Sequence, residues 1–237
     1  MNIRTDHTIG EIVAADYRTA TVFKAHGIDF CCKGGRSISE VCESKNLKPE
    51  ALLEEIRQAA ATAEQPSADY HRWPLDLLVD YVEKKHHRYV AAKSPELMQY
   101  LDKLCKVHGE RHPELFDIRD EFAHVASELA AHMQKEEMIL FPFVRKLATE
   151  AQPARPMFGT VQNPIQMMMH EHTVEGDRFA RIAELTSQYT PSADGCTTYR
   201  VAFAMLREFE EDLHLHIHLE NNIMFPRAIE REKQLLN

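Results

Sequence analysis

The sequence predicts an all-α protein, with a small N-terminal helical domain followed by an up-down bundle of four long helices. Three observations support this class. Only 8 of 237 residues are glycine, alternating β-branched patterns are scarce, and apolar residues recur at helical spacing over long stretches. Loops rich in Pro, Gly and Ser separate the last three stretches, as expected of an antiparallel bundle. The long helices are predicted at about 75–92, 113–148, 164–187 and 196–230, with a further helix at 95–108.

Short helices and a polar linker precede the bundle. A first helix is predicted over 9–24, followed by a loop over 26–36. Ser37 and Glu40 have capping-box spacing at the start of a second helix, and Pro49 suits the first turn of a third. We therefore divide the chain into a small helical domain at 1–64, a linker at 65–73 and a bundle at 74–237.

Composition narrows the function. The 28 Lys and Arg against 37 Asp and Glu give a net charge of −9, which argues against nucleic-acid binding because phosphate contacts need clustered basic residues. Without an apolar run of membrane-spanning length or a secretory leader, we expect no membrane span and no export. Five scattered cysteines argue against a disulfide framework and favour the cytoplasm.

Several of the 14 histidines fall on the core-facing stripes of the predicted helices. In the second long helix the stripe runs through His132, Glu136 and Ile139 at three- and four-residue steps. The third stripe contains His172 and Glu175, and the fourth contains His216 and Glu220. Buried carboxylates are costly unless they are paired, so these positions require a cation or a protonated partner.

Two of these stripes share a longer motif. The pattern H-x3-E-x2-I-x-F-P begins at His132 and again at His216, and residues four apart lie on one helix face. Imidazole and carboxylate ligands without thiolate suit iron or manganese, and bundle cores hold dinuclear carboxylate sites. Six ligands exceed the set of a structural zinc site. The sequence therefore predicts a dinuclear site that holds two iron ions.

The first long helix offers two adjacent histidines. Leu78, Val82, His86 and Tyr89 lie on one stripe, whereas His87 falls on its flank. Periodicity alone thus favours His86 as the inward residue without excluding His87.

Taken together, these motifs resemble a known family. His87, His132-x3-Glu136, Glu171-His172 and His216-x3-Glu220-Asn-Asn resemble hemerythrin-like di-iron bundles. The segment from Gly10 to Cys31-Cys32 is similar to the dicysteine ScdA-type domain that precedes such bundles in the repair-of-iron-centres proteins. The resemblance covers essentially the whole chain and implies a hemerythrin-like bundle.

The resemblance also implies a set of site residues. The family's carboxylate bridges correspond to Glu136 and Glu220, and an oxo or hydroxo group joins its two irons. Glu128 and Glu171 match carboxylates near the site or its access channel. The terminal histidine ligands correspond to His87, His132, His172 and His216, which places His87 rather than His86 at the metal.

Cys31 and Cys32 are the second feature with chemical potential. They precede Lys33 and a helix start, and both features favour the thiolate form. The pair suits a reversible disulfide with a partner, the holding of a transferred iron, or nitrosylation, and two ordinary loop thiols are the alternative. We expect the other cysteines to be structural and assign no chemistry to the histidines at 108 and 112.

The resemblance implies a cytoplasmic di-iron protein that restores iron–sulfur or iron centres damaged by nitric oxide or peroxide. Its partners would be damaged iron–sulfur proteins, with nitric oxide or oxygen as small ligands. Iron donation and nitric oxide reduction both remain open, and only the second would make it an enzyme. A hemerythrin-like oxygen- or nitric-oxide-binding sensor or carrier is the alternative. A homodimer and the placement of the small domain are also left open.

Overall fold

The computed structural model describes residues 3–61 and 68–236 and confirms an all-α fold. Within these ranges there is no β-strand beyond an isolated bridge between Thr8 and Ser37. The first part of the predicted linker, 65–67, lies outside the described residues, and the remainder contains a 3-10 turn over Tyr70–Arg72. None of the described helices is long and apolar enough to cross a membrane.

The N-terminal part has one more helix than predicted, because the chain leaves helical geometry at Asp16. Its backbone is extended there, and its side chain accepts a hydrogen bond from the Arg18 amide. The predicted helix at 9–24 is therefore split by a 3-10 turn. The capping box between Ser37 and Glu40 is confirmed. The helices span Ile9–Ala15, Ala20–Ala25, Ile38–Lys45 and Pro49–Ala61.

Four long helices form the bundle, and each packs against the next while the fourth closes against the first. The first is continuous through Pro95, so the separate helix predicted at 95–108 is its C-terminal half. The first bundle helix consists of Leu75–Tyr81, Val82–His87 and Arg88–His108, and the second consists of Glu114–Lys135, Glu136–Leu140 and Phe141–Thr149. The third bundle helix is Gln162–Leu185. The fourth consists of Thr197–Leu219, Glu220–Met224 and Phe225–Leu236.

Three of these helices contain a π-helical segment, at Val82–His87, Glu136–Leu140 and Glu220–Met224. The last two begin at the glutamate of the duplicated motif and end just before Pro142 and Pro226. Proline has no backbone N–H, so one helical hydrogen bond is missing and the helix widens there.

The widened turns alter the predicted stripe. Ile139, expected on the core-facing stripe, is 50% exposed, and Leu140 is buried in its place. In the other copy of the motif Ile223 is only 1% exposed. The prediction for Ile139 was wrong because the 3.6-residue period shifts within the π-helical turn and brings Leu140 to the core, whereas the equivalent turn of the fourth helix keeps both Ile223 and Met224 buried.

Two apolar clusters enclose a polar layer in the middle of the bundle. One cluster includes the packed rings of Phe122, Phe179 and Phe209 and continues into the N-terminal helices. The other includes Phe141 and Phe225 at the far end of the bundle. Burying each such side chain contributes about 1.5–3 kcal/mol, so the apolar clusters can hold a polar layer between them.

Candidate metal centre

Six side chains from all four bundle helices converge in this polar layer. They form two overlapping sets, and the potential ligand atoms of each set lie within 4.8 Å of one another. Glu136 and Glu220 belong to both sets, so the two carboxylates lie between two pairs of histidines. The sets are His87, Glu136, His216, Glu220 and His132, Glu136, His172, Glu220.

Each glutamate approaches one histidine of its own helix and one of another helix. Oε2 of Glu136 lies 3.4 Å from Nε2 of His132 and 3.3 Å from Nε2 of His87. Glu220 lies 3.2 Å from Nε2 of His216 and 3.1 Å from Nε2 of His172. The Nε2 atoms therefore point at a common centre, as the shared face of a His-x3-Glu pair requires.

The donor set fits a pair of metal ions. Both carboxylate oxygens of Glu136 and Glu220, and Nε2 of His87 and His216, are buried without a hydrogen-bond partner. Such atoms are costly in a protein interior unless a cation satisfies them. Neutral imidazole with carboxylate oxygen suits a first-row metal such as iron or manganese.

The charges of the cluster favour ionised carboxylates and a protonated His132. Burial opposes ionisation of Glu220, but His216 and His172 outweigh it and hold the pKa of its carboxyl well below the usual range. Burial likewise opposes protonation of His132, yet Glu136 and Glu171 raise the pKa of its imidazole to about 10. The carboxylates are thus ionised, as metal binding requires, and a metal ion would have to displace the proton of His132, because imidazole binds metal in its neutral form.

Three of the four converging imidazoles are oriented by a hydrogen bond from Nδ1. Such a bond fixes the ring and directs Nε2 at the metal position. The acceptor of His87 is Glu137 at 2.7 Å, that of His132 is Glu171 at 2.8 Å and that of His172 is Asn221 at 2.9 Å.

Of the two other carboxylates singled out in the sequence, Glu171 contacts the centre and Glu128 does not. The hydrogen bond to His132, together with the ion pair to Lys135, lowers the pKa of Glu171 to about 2. Glu128 is exposed on the preceding turn of the His132 helix. Glu175 is buried on the third stripe outside the converging sets, and burial raises its pKa to about 7.

Both histidines of the first helix face inward, because the π-helical turn Val82–His87 contains them. His87 joins the converging set, whereas His86 directs Nδ1 to Asp212 at 2.9 Å. The His86 ring stacks on that of His216 with centroids 5.5 Å apart. Periodicity identified an inward residue, but the structure brings its neighbour to the carboxylates.

The phenylalanine of the duplicated motif has a common role in both copies. Phe141 stacks on His87 with a 17° angle between the rings, and Phe225 stacks on His172 at 3°. Each copy therefore supplies a histidine, a carboxylate and an aromatic wall for a histidine of another helix.

The cysteine pair lies directly against the third and fourth helices. Cys32 Sγ donates to the backbone carbonyl of His172 at 3.2 Å, and the Asn221 amide donates to the carbonyl of Cys31 at 3.2 Å. A Cβ atom at Gly176 would lie only 3.1 Å from Cys32 Sγ, so glycine permits this approach. Ligand atoms of Asp29, Cys31 and Cys32 form a third group close enough to hold a metal ion.

The expectation of a thiolate is wrong for Cys31. Its hydrogen bond with Cys32 and its burial, together with the nearby Asp29 carboxylate, raise the pKa of the Cys31 thiol well above its usual range. Lys33, whose charge was expected to help, extends instead to Asp177 at 3.4 Å.

Sequence reasoning missed Glu137, Asn221 and Asp212, which accept hydrogen bonds from buried histidines. Glu137 and Asn221 each directly follow the glutamate of the duplicated motif, a position that a regular helix pattern does not place on the core-facing stripe. It also missed the pairing of Cys196 Sγ with Nε2 of His108 at 3.2 Å. Cys196 is exposed rather than structural.

Comparison with known proteins gives matches over both parts of the chain. The model of the hemerythrin HHE cation-binding domain matches residues 78–228. The model of the ScdA N-terminal domain, described as a domain of unknown function, matches residues 5–60. Iron–sulfur cluster repair proteins named YtfE, from Yersinia pestis strain Pestoides F and Yersinia pseudotuberculosis strain IP 31758, are 32% identical over 227 residues, covering 96% of this chain and 98% of theirs.

Proposed function

The chain belongs to the family of hemerythrin-type iron–sulfur cluster repair proteins, and from this premise we propose that it stores two iron ions in the bundle and returns iron to damaged iron–sulfur proteins. In this proposal 74–237 is the iron-holding bundle, 65–73 is the linker and 1–64 is the thiol-bearing domain. The thiols work reduced, which suits the cytoplasm.

The proposed iron ligands are the six converging side chains. Glu136 and Glu220 would be shared by the two ions, because each carboxylate belongs to both sets, and an oxo or hydroxo group would be the further bridge. The terminal ligands are His87, His132, His172 and His216, with Glu137, Glu171 and Asn221 orienting three of them.

One observation supports iron donation: the Cys32 thiol contacts the backbone of His172, a proposed iron ligand. Iron that leaves the bundle on this side meets Cys32, Cys31 and the Asp29 carboxylate first. A cavity of about 290 Å³, lined by these residues, opens beside them. We propose that the thiols accept the iron there and present it to the recipient protein.

Nitric oxide reduction is a second candidate, supported by a separate groove. This groove of about 580 Å³ is lined by His87 and Glu137 and runs between the first and second bundle helices. It offers a small ligand a route to the centre that avoids the cysteines. A bound di-iron site would supply the metal-centred redox chemistry, and the chain would then be an oxidoreductase.

The test is iron transfer from the full-length, iron-loaded protein to an iron-free ferredoxin in the presence of sulfide. Iron content is measured first, and cluster formation is then followed by absorption. We expect about two irons per chain, and we expect Cys32→Ser to retain them while transferring iron far more slowly.

Cys196→Ser is the matched control, because Cys196 is an exposed thiol outside the cysteine loop. It should transfer iron at the wild-type rate. Equal transfer by wild type and the Cys31→Ser/Cys32→Ser double variant would remove the thiols from the function. Catalytic formation of nitrous oxide without iron loss would favour the reductase.

A further inference from the structure

A run of aromatic rings connects the surface with one proposed iron ligand. The Trp73 and Tyr81 ring centroids are 5.2 Å apart, those of Tyr81 and His86 are 5.4 Å apart, and those of His86 and His216 are 5.5 Å apart. Tyr70 packs on Trp73 at 4.9 Å, and its hydroxyl lies 3.4 Å from that of Tyr81. Successive rings are thus neighbours along the whole run.

Exposure along this run falls from the surface to the centre. Tyr70, Trp73 and Tyr81 are partly buried at the start of the first bundle helix, whereas His86 and His216 are at most 1% exposed. Trp73 is the only tryptophan of the chain. Tryptophan and tyrosine are the aromatic side chains that lose single electrons most readily, so the oxidisable rings of this run lie at its outer end.

Packing alone does not explain why a histidine, and not an apolar residue, is buried at position 86. His86 is fully buried, its Nε2 has no hydrogen-bond partner, and it is not among the converging side chains. An apolar ring would fill the same space without this cost. Its Nδ1 bond to Asp212 instead holds the ring nearly parallel to that of His216, at 13°.

The other histidine rings at the centre do not connect with an oxidisable aromatic side chain in the same way. Among the ring contacts of the described residues, His87 continues to Phe141 and His172 to Phe225, neither of which is readily oxidised. Tyr89 lies on the same helix but packs on Phe209 and donates to Glu208. Tyr89 therefore serves as an internal comparison for a tyrosine outside the run.

We propose that Trp73, Tyr70, Tyr81 and His86 form an electron-transfer path between the metal centre and the surface. It rests on the proposed presence of iron. This path would supply single electrons to the centre when hydrogen peroxide reaches it and only one of its two iron ions is ferrous. Reduction of hydrogen peroxide to two water molecules breaks the O–O bond and consumes two electrons and two protons.

A ferrous ion held at the centre would supply one of these electrons, and Tyr81 would supply the other through His86 and His216. Tyr81 also loses its phenolic proton, and solvent supplies the second proton. The missing electron is then drawn from Tyr70 or Trp73, so the oxidised side chain ends at the surface. There a soluble one-electron reductant such as ascorbate restores it, and the interior of the bundle is spared from oxidation.

The test uses the full-length protein with its iron content measured and one ferrous ion per pair. The sample is mixed with stoichiometric hydrogen peroxide, frozen within milliseconds and examined by electron paramagnetic resonance. We expect a tyrosyl or tryptophanyl radical in the wild type that falls to background in Tyr81→Phe at unchanged iron content. In Trp73→Phe the radical should remain tyrosyl, and the oxidised tryptophan product should be absent from the mass spectrum.

Tyr89→Phe is the matched control and should keep the wild-type radical. A radical of equal size in Tyr81→Phe, or none in iron-loaded wild type, would overturn the path while leaving iron binding intact. A wild-type protein that takes up no iron would overturn the path and the proposed function together.

Discussion

The side-chain oxygen of Asn221 lies 2.9 Å from Nδ1 of His172. The nitrogen of the same amide lies 3.2 Å from the carbonyl oxygen of Cys31. One residue therefore orients a proposed iron ligand and fixes the loop that carries the thiols. The neighbouring Asn222 contacts the same loop through the carbonyls of Phe30 and Cys31, but no proposed ligand.

Asn221→Ala should weaken metal binding about 10- to 100-fold, because His172 loses the acceptor that holds its ring. Competition with a chelator of known affinity measures this change. Asn222→Ala removes loop contacts and the hydrogen bond to His218, which is not a proposed ligand, and should leave metal affinity near the wild-type value. Equal losses in the two variants would mean that docking of the loop, and not orientation of His172, sets the affinity.

His87→Ala should lower the iron content, since it removes one of the converging imidazoles. His86→Ala should retain iron but lower the free energy of unfolding by about 1–3 kcal/mol, because the partly buried Asp212 loses the hydrogen bond from His86. Elemental analysis and denaturant unfolding distinguish the two effects. Iron loss in His86→Ala alone would show that the ligand assignment on this helix is wrong.

Glu175 should make folding stability depend on pH. Burial raises the pKa of its carboxyl from the usual 4.5 to about 7, so the folded state binds this proton more tightly than the unfolded state. The resulting stabilisation is fully present below pH 4.5 and disappears as pH rises through 7. It amounts to at most about 3 kcal/mol.

Glu175→Gln should therefore be more stable relative to wild type at pH 8 than at pH 5, as measured by urea unfolding. Glu128→Gln is the comparison, since Glu128 is exposed and its charge contributes to the raised pKa of Glu175, so this variant should reduce the pH dependence without removing it. If the free energies of unfolding of wild type and Glu175→Gln differ by the same amount at pH 5 and pH 8, Glu175 does not bind a proton more tightly in the folded state.

Cys196 should be the most readily alkylated thiol near neutral pH. The imidazole of His108 and the amides at the start of the fourth bundle helix lower the pKa of this exposed thiol to about 7. A lower pKa gives more thiolate at a given pH, so the iodoacetamide rate should be half-maximal near pH 7. Peptide mass spectrometry follows each cysteine separately.

In His108→Ala the midpoint for Cys196 should move up toward the usual pKa of 9.0. Cys42 and Cys105 are buried and serve as unreactive controls in the same sample. An unchanged midpoint in this variant would assign the shift to the helix start alone.

The sequence by itself determined the all-α class and most of the side chains that form the candidate metal centre. Apolar three- and four-residue steps require a buried helix face, and the polar residues on those faces were visible as His132, Glu136, His172, His216 and Glu220. Their positions follow from helix geometry, because residues four apart on a regular helix must lie on one face.

The tertiary structure decided what lies just beside that face. The π-helical turns bring His87 to the carboxylates beside an inward His86 and expose Ile139, and no 3.6-residue period contains that shift. The placement of Asn221 between His172 and Cys31 depends on docking of the N-terminal domain. Such contacts join residues far apart in the chain, so only packing could establish them.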